Sequence, residues 1–389
     1  MKLINMRLMS WLTAEEALYR LGTKPQTLYA NVSRGRIRAK PDPSDPRRSL
    51  YYTPDVTRLA ERHGGRRKVE TVAAEAIQWG DPVLPSAVST VVNGRLYYRG
   101  IDAAKLSECA TLEETAALLW NKGTPINIAA GGSEGSVPSM AAAFSALAAR
   151  VPQDLPSLGR SLPALQAEAQ DIMTTIASAL APGASDLPLH LRLAKSWRRP
   201  EASDAVRRAL VLLADHELNA SAFAARVTAS AGATLSASVL SGLATLTGPL
   251  HGGAWEAVAT LSETARRIGT KEAIRRILAQ GSRLPAFGHP LYPDGDIRAE
   301  ALLAHITPAE IFLEIQVAGE EMIGERVNID FALTAMAERF ELPQDAPLVI
   351  FALARSCGWL AHAMEQVESG HLIRPRARYT GPSIGTSSA

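Results

Sequence analysis

The chain has 389 residues, 47% hydrophobic and 21% charged, with 41 Lys and Arg against 39 Asp and Glu. At roughly 100–200 residues per domain that length calls for more than one domain, and the apolar content excludes a chain disordered throughout. Cys109 and Cys357 are the only cysteines, which excludes a disulfide scaffold and a cysteine-based zinc site and fits a reducing compartment, read as the cytoplasm.

Charge is unevenly placed. Residues 1–68 hold 15 Lys and Arg against 6 Asp and Glu, net +9, which leaves 26 against 33, net −7, for the rest. A small basic head thus precedes a larger acidic body. Residues 1–12 carry two basic residues and no apolar core of signal-peptide length, so no secretion signal is expected. Thr13-Ala14-Glu15-Glu16 matches a capping box, in which hydroxyl and carboxylate satisfy free amides at a helix start. A helix is predicted from near Ala14 to Gly22, and Pro25 then takes the first position of a second helix reaching Ser33. Pro41 to Pro46 leads into Arg47–Tyr52, read as a hairpin wing, and Thr53-Pro54-Asp55 starts a third helix. The stretch Leu12 to Arg62, in LGTKPQTLYANVSRGRIRA and RRSLYYTPDV, resembles winged helix-turn-helix domains of the MerR and excisionase type. The resemblance implies that Gln26, Thr27 and Tyr29 face a DNA major groove while Arg34, Arg36, Arg47 and Arg48 hold phosphates. A solvated basic surface that only docks to protein is the alternative.

His63 to Lys68 reads as a linker, and Val88 to Tyr98 as strands around the hairpin pair Asn93-Gly94. Beyond that the pattern is helical. Capping boxes are predicted at Thr111–Glu114 and Thr307–Glu310, and Gly123 to Pro138 reads as a loose Gly/Ser-rich insertion. Two apolar runs, 229–248 and 346–364, are read as buried helices rather than membrane spans, since the first is built of small residues and the second carries Arg355.

Polar residues inside such helices are the candidates for chemistry. Arg355 is the only formally charged residue between 346 and 364, and a buried guanidinium needs an anion. A structural Asp or Glu is the usual partner, and the same bland reading covers Arg298 and Asp330. His251, in GPLHGG, and His289, in FGHP, stand among small residues that let a substrate approach. Metal ligation is an alternative for them, but no HxxxH or HExxH spacing supports a metal.

Five collinear blocks then carry a family resemblance. ADHELNASAFAAR (214–226), GPLHGGAWEAV (248–258), PAFGHPLYPDGDIRAE (285–300), VNIDFAL (327–333) and ARSCGWLAHAMEQ with HLIRPRARYTGP (354–382) are similar to bacterial citrate synthases, as is LYYRGIDAAKL with EETAALLW upstream. The resemblance implies a mainly α fold: large and small helical domains (69–251 with 343–389, and 252–342) after a winged helix-turn-helix head and linker at 1–68. It assigns Asp330 as the base toward acetyl-CoA, His251 as donor to the thioester oxygen, and His289 as donor to the ketone of oxaloacetate. Oxaloacetate would be held by His216, Arg298, Arg355 and, from the neighbouring subunit of a homodimer, Arg374. Arg376 and Arg378 are candidates for CoA phosphates. No cofactor beyond acetyl-CoA as co-substrate and no metal is implied. Trp255 stands where the family has Asn, Pro290 where it has Arg, and VNID where it has PNVD. The indole beside His251 leaves propionyl-CoA, as in 2-methylcitrate synthases, open as the acyl donor. The attached head leaves open a DNA-binding regulator that uses the body as a dimeric metabolite sensor.

Overall fold

The computed structural model describes residues 11–21, 25–33, 36–42, 45–57, 84–129, 138–182, 187–377 and 379–381, with backbone alone at 46 and 47. Arg34, Arg378, the side chain of Arg47, the linker at 63–68 and residues 130–137 of the Gly/Ser-rich insertion lie outside the described residues. The chain divides into two compact units, Met1–Pro85 with Arg376–Ala389, and Ser86–Pro375.

In the first unit, β1 (Trp11–Leu12), α1 (Ala14–Leu21), α2 (Pro25–Ser33), β2 (Ala39–Asp42) and β3 (Asp45–Tyr52) precede a helical stretch at 53–57. The strands form an antiparallel sheet in the order β1-β3-β2. The capping box forms as expected: the Glu16 amide donates to Thr13 Oγ1 at 3.3 Å and the Thr13 amide to Glu16 Oε2 at 2.9 Å. Leu12, Ala17, Leu21, Leu28, Ile37, Tyr51 and Val56 make the core. Two basic residues are spent inside this unit. Arg38 binds Asp55 through Nε and Nη2 and lies 3.9 Å over Tyr52, and Lys40 lies 4.4 Å over Trp11.

The second unit opens with β4 (Ser89–Val92), β5 (Arg95–Tyr98) and β6 (Ile101–Asp102), an antiparallel meander whose first turn uses Asn93 and Gly94 at φ +50° and +70°. Helices follow: α3 (Ala103–Leu106), α4 (Leu112–Leu119), α5 (Met140–Arg150), α6 (Leu162–Leu180), α7 (Leu189–Ser196), α8 (Ser203–Leu213), α9 (Ala220–Ser230), α10 (Leu235–Leu246), α11 (Ala254–Ile268), α12 (Thr270–Ala279), α13 (Ile297–Leu303), α14 (Glu310–Ile323), α15 (Ile329–Arg339) and α16 (Ala346–Ser369). Thr111 and Glu114 form the expected capping box. Two expectations are corrected. The apolar run 229–248 is two helices, because Gly232 turns left-handed at φ +76° and Thr234 caps a new start at Ala237 N. The box expected at 307–310 does not form: α14 begins at Glu310 itself, so that carboxylate is not at the third helical position from which it would reach back.

Helix α16 organises the core. Pro347 sits in its first turn and Gly370, left-handed at φ +66°, ends it. It packs against α4, α6, α8, α9, α10 and α15. Among the described residues it is the one helix long and apolar enough to cross a membrane, but 94% of that stretch is buried inside the protein, so core packing accounts for its apolarity. A second apolar cluster joins Val258, Ile274, Phe287, Phe312 and Phe331. Helix α15 serves both clusters: Ile329, Ala332, Leu333 and Met336, at helical spacing, face the first, while Phe331 and Ala335 face the second. Asp330 therefore stands at the seam between two cores.

Candidate active site

The segment Asp215-His216-Glu217 joins α8 to α9 in a conformation it would not hold alone, since Glu217 has φ +52°. The β4–β5 hairpin pins it. The Glu217 carboxylate accepts from Val91 N at 2.6 Å and Thr90 Oγ1 at 3.2 Å, its amide donates to Ser89 Oγ at 2.9 Å, and Ser89 donates to Asp215. Asn219 then caps α9 and donates Nδ2 to the His216 carbonyl at 3.1 Å. His216 is thereby fixed from both sides.

His251 lies in the tight turn after α10. Only glycine fits at 252, where a Cβ would meet the Leu246 carbonyl. The ring is anchored by Nε2, 2.8 Å from Ser221 Oγ, which also receives the Trp359 indole N–H at 3.0 Å and lies 2.7 Å from Asn219 Oδ1. Ser221 has one proton for two acceptors. For His251 to present Nδ1–H to a ligand, that proton must go to His251 Nε2 rather than to Asn219.

His289 and Asp330 come from two loops clipped together. The Phe287–Val327 bridge is completed by Gly288 N to Arg326 O at 2.7 Å, Asn328 N to Ala286 O at 2.9 Å and Asn328 Nδ2 to Gly288 O at 3.2 Å. Asp296 adds a second clip: it accepts from Arg298 Nε and Nη2 at 2.9 and 2.7 Å and from Ile329 N at 3.0 Å. Leu291 N donates to His289 Nδ1 at 3.2 Å, so the neutral ring carries its proton on Nε2. Tyr292 bridges these loops to His216, its hydroxyl 2.8 Å from His216 Nε2.

Burial sets the charge states. Desolvation, with Arg355 adding to it, lowers His251 to about 4; desolvation with Arg298 lowers His289 to about 4, and His216 falls well below the ordinary imidazole value for the same reasons. All three rings are neutral at pH 7. Desolvation pushes Asp330 up to about 6, against the pull of Arg298 and Arg355. Burial opposes the charge of Arg298, but Asp296 more than offsets it and the pKa is raised. For Arg355 the pull of the Asp215 carboxylate does not offset burial, and the pKa falls to about 10.

His216 lies within the fields of His251, His289, Arg298 and Arg355, and Asp330 within those of Arg298 and Arg355, so the two guanidinium groups link the carboxylate to the histidines. The structural carboxylate expected for Arg298 exists, as Asp296. Arg355 differs: Nε donates to Leu213 O at 2.9 Å, Nη2 is buried without a partner, and no ion pair to it occurs among the described residues. Arg374 is exposed and makes no ion pair among the described residues. Arg376 is exposed in the other unit, Trp255 is buried in the first turn of α11, and Pro290 is exposed. In the first unit, Gln26, Tyr29, Arg36 and Arg48 are exposed, Thr27 is half-buried, and Arg48 pairs with Asp45 at 3.3 Å. Among the described residues no group of three or more His, Cys, Asp and Glu could hold a metal ion.

Tyr292, Asp296, Ser221 and Trp359 escaped the sequence reading. Each had a local sign: Tyr292 and Asp296 lie within PAFGHPLYPDGDIRAE, Ser221 within ADHELNAS and Trp359 four residues past Arg355. What was missing is the partner, 76 residues away for Tyr292 and 138 for Trp359.

A carboxylate, neutral imidazole donors and a guanidinium with no ion pair among the described residues can together remove a carbon-bound proton while stabilising charge on oxygen. Comparison with known proteins gives the same direction. Residues 136–376, more than half the chain, match the family model for the citrate synthase C-terminal domain. Citrate synthase 2 of Bacillus subtilis is 36% identical over 194 residues, covering 47% of this chain and 52% of that protein. The citrate synthase of Haloferax volcanii is 40% identical over 185 residues, covering 44% and 49%. The chain spans about half the length of these curated relatives. Among solved structures, the Pyrobaculum aerophilum citrate synthase superposes with TM-score 0.66 at 26% identity, covering 78% of this chain and 91% of that one. A ternary complex of carboxymethyl coenzyme A and oxaloacetate with the Thermoplasma acidophilum enzyme gives TM-score 0.67 at 23% identity, covering 78% and 95%, a likeness of fold. Given the extent of the family match, the chain belongs to the citrate synthase family.

Proposed function

We propose that the chain condenses acetyl-CoA with oxaloacetate and hydrolyses the adduct, giving citrate and CoA. Asp330 takes a proton from the acetyl methyl group while His251 donates a hydrogen bond to the thioester oxygen as the enol forms. The enol carbon attacks the ketone carbon of oxaloacetate, forming the new bond, and the ketone oxygen receives a proton from His289 Nε2. Water then cleaves the thioester and the sulfur leaves as CoA thiol. Arg298, Arg355 and His216 hold the oxaloacetate carboxylates, with Arg374 of the neighbouring subunit completing the set in a homodimer. Residues 252–342, as a small domain, close over the substrates and exclude water. No cofactor beyond the two substrates is needed.

The observation that carries this reading is Arg355: a buried guanidinium with no ion pair among the described residues, in the field of an Asp330 carboxyl that burial pushes up to about 6. The test is product identification with oxaloacetate and either acetyl-CoA or propionyl-CoA. Citrate supports the reading. Methylcitrate formed in preference moves the donor to propionyl-CoA. Oxaloacetate binding without turnover of either thioester replaces catalysis by metabolite sensing.

For the first unit we propose a winged helix-turn-helix that binds DNA. Its support is the net charge of +9 over residues 1–68 and the exposure of Gln26 and Tyr29, three residues apart on α2, with Arg36 and Arg48 exposed nearby in sequence.

A further inference from the structure

Tyr292 has no role in the chemistry described so far, yet it is only 2% exposed and lies between the residues that carry it. It sits on the turn leading from His289 to α13, with its amide donating to the His289 carbonyl at 2.9 Å. Its ring centroid is 5.6 Å from that of His216 and 4.9 Å from that of His289, and the Arg298 guanidinium lies 4.9 Å from it. Among the described residues its hydroxyl is the one hydrogen-bond partner of His216 Nε2, at 2.8 Å, and His216 Nδ1 makes no hydrogen bond.

A neutral imidazole has one ring proton, so this contact determines what Nδ1 shows to a ligand. With the proton on Nε2, His216 would donate to the tyrosine, and Nδ1 would aim a lone pair at whatever binds. With the tyrosine as donor, the proton sits on Nδ1. Arg298 and Arg355 select a ligand bearing anionic oxygens, and toward such a ligand a lone pair repels while an N–H binds. Burial raises the phenol to about 12 and lowers the imidazole, so neither gains or loses a proton near neutral pH.

We infer that Tyr292 is a positioning residue: its O–H donates to His216 Nε2 and fixes the tautomer that presents Nδ1–H to an oxygen of the bound oxo-dicarboxylate. The identity of that ligand rests on the proposed function; the tautomer does not. Because Tyr292 follows His289 by three residues, one turn places both the ring that faces the ketone and the phenol that sets His216.

The test uses full-length protein labelled with ¹⁵N-histidine, with long-range proton–nitrogen correlation at neutral pH to read the His216 tautomer, assigned by its loss in His216→Asn. The parent is expected to show Nδ1–H and Tyr292→Phe to shift toward Nε2–H. Calorimetry with oxaloacetate should give an affinity loss of about tenfold or more for Tyr292→Phe. In His216→Asn, whose amide offers a donor near the Nδ1 position whatever Tyr292 does, adding Tyr292→Phe should cost less than about twofold. An Nε2–H tautomer in the parent, or an equal cost in both backgrounds as a packing role would give, overturns the inference. A parent that binds no oxaloacetate sinks the functional reading instead, and the tautomer still decides the role of Tyr292.

Discussion

Asp330 is held where its charged form is disfavoured, and that has two measurable consequences. As the base of the proposed reaction it must be ionised, so kcat/KM should fall as pH drops through about 6, the imidazoles being already neutral there. For stability the sign is opposite: a folded pKa raised from 3.8 means a contribution present below pH 4 and lost as pH rises through about 6. Asp330→Asn should therefore stabilise the protein by about 1–3 kcal/mol at pH 8 and by nothing measurable below pH 4, read from denaturant midpoints. The depressed histidines work the other way, weakening the fold as pH falls from 6.5 toward 4. Arg355→Ala removes a guanidinium whose Nη2 has no partner among the described residues, and oxaloacetate affinity should fall at least about thirtyfold by calorimetry. His251, His289, Arg355 and Asp330 were legible because each stands among small or apolar residues where its polarity is conspicuous, whereas His216 and Arg298, set among polar neighbours, were marked out by the family resemblance. Tyr292 and Asp296 were not, because a tyrosine or aspartate in a polar turn shows no oddity until its distant partner is known.

Helix α16 carries this geometry into the core. Gly358 lies between Arg355 and Trp359, its amide donates to the Ala214 carbonyl at 3.1 Å, and a Cβ there would strike Asp215 Oδ1 and that carbonyl. Gly358→Ala should destabilise the protein by about 1–3 kcal/mol, visible as a lower denaturant midpoint, because backbone and a buried carboxylate have no room to yield. Elements with local causes were legible in outline. Thr13–Glu16 and Thr111–Glu114 cap helices as expected, and Asn93-Gly94 turns a hairpin. The failures share one physical origin: a capping box works only if its acid falls at the third helical position, and an apolar run continues as one helix only if no residue turns left-handed. Glu310 and Gly232 decide those questions through backbone geometry that composition does not display.

At the scale of the whole chain, a basic head and an acidic body are visible in the charge count alone, and the mainly helical body was legible from its periodicity and five collinear blocks. The two compact units of the chain are where the proposed roles part. Binding of labelled duplex DNA by the full chain should weaken steeply between about 50 and 200 mM salt, as displaced counterions require, and salt-independent binding or none would leave the head a protein-docking surface. The body is tested most directly by CoA release from acetyl-CoA in the presence of oxaloacetate, comparing the parent with Asp330→Asn while calorimetry follows oxaloacetate binding. The parent should turn over, and the variant should lose about 10²–10⁴-fold in rate while binding oxaloacetate within about twofold of the parent. A variant as active as the parent would contradict Asp330 as the base that begins carbon–carbon bond formation.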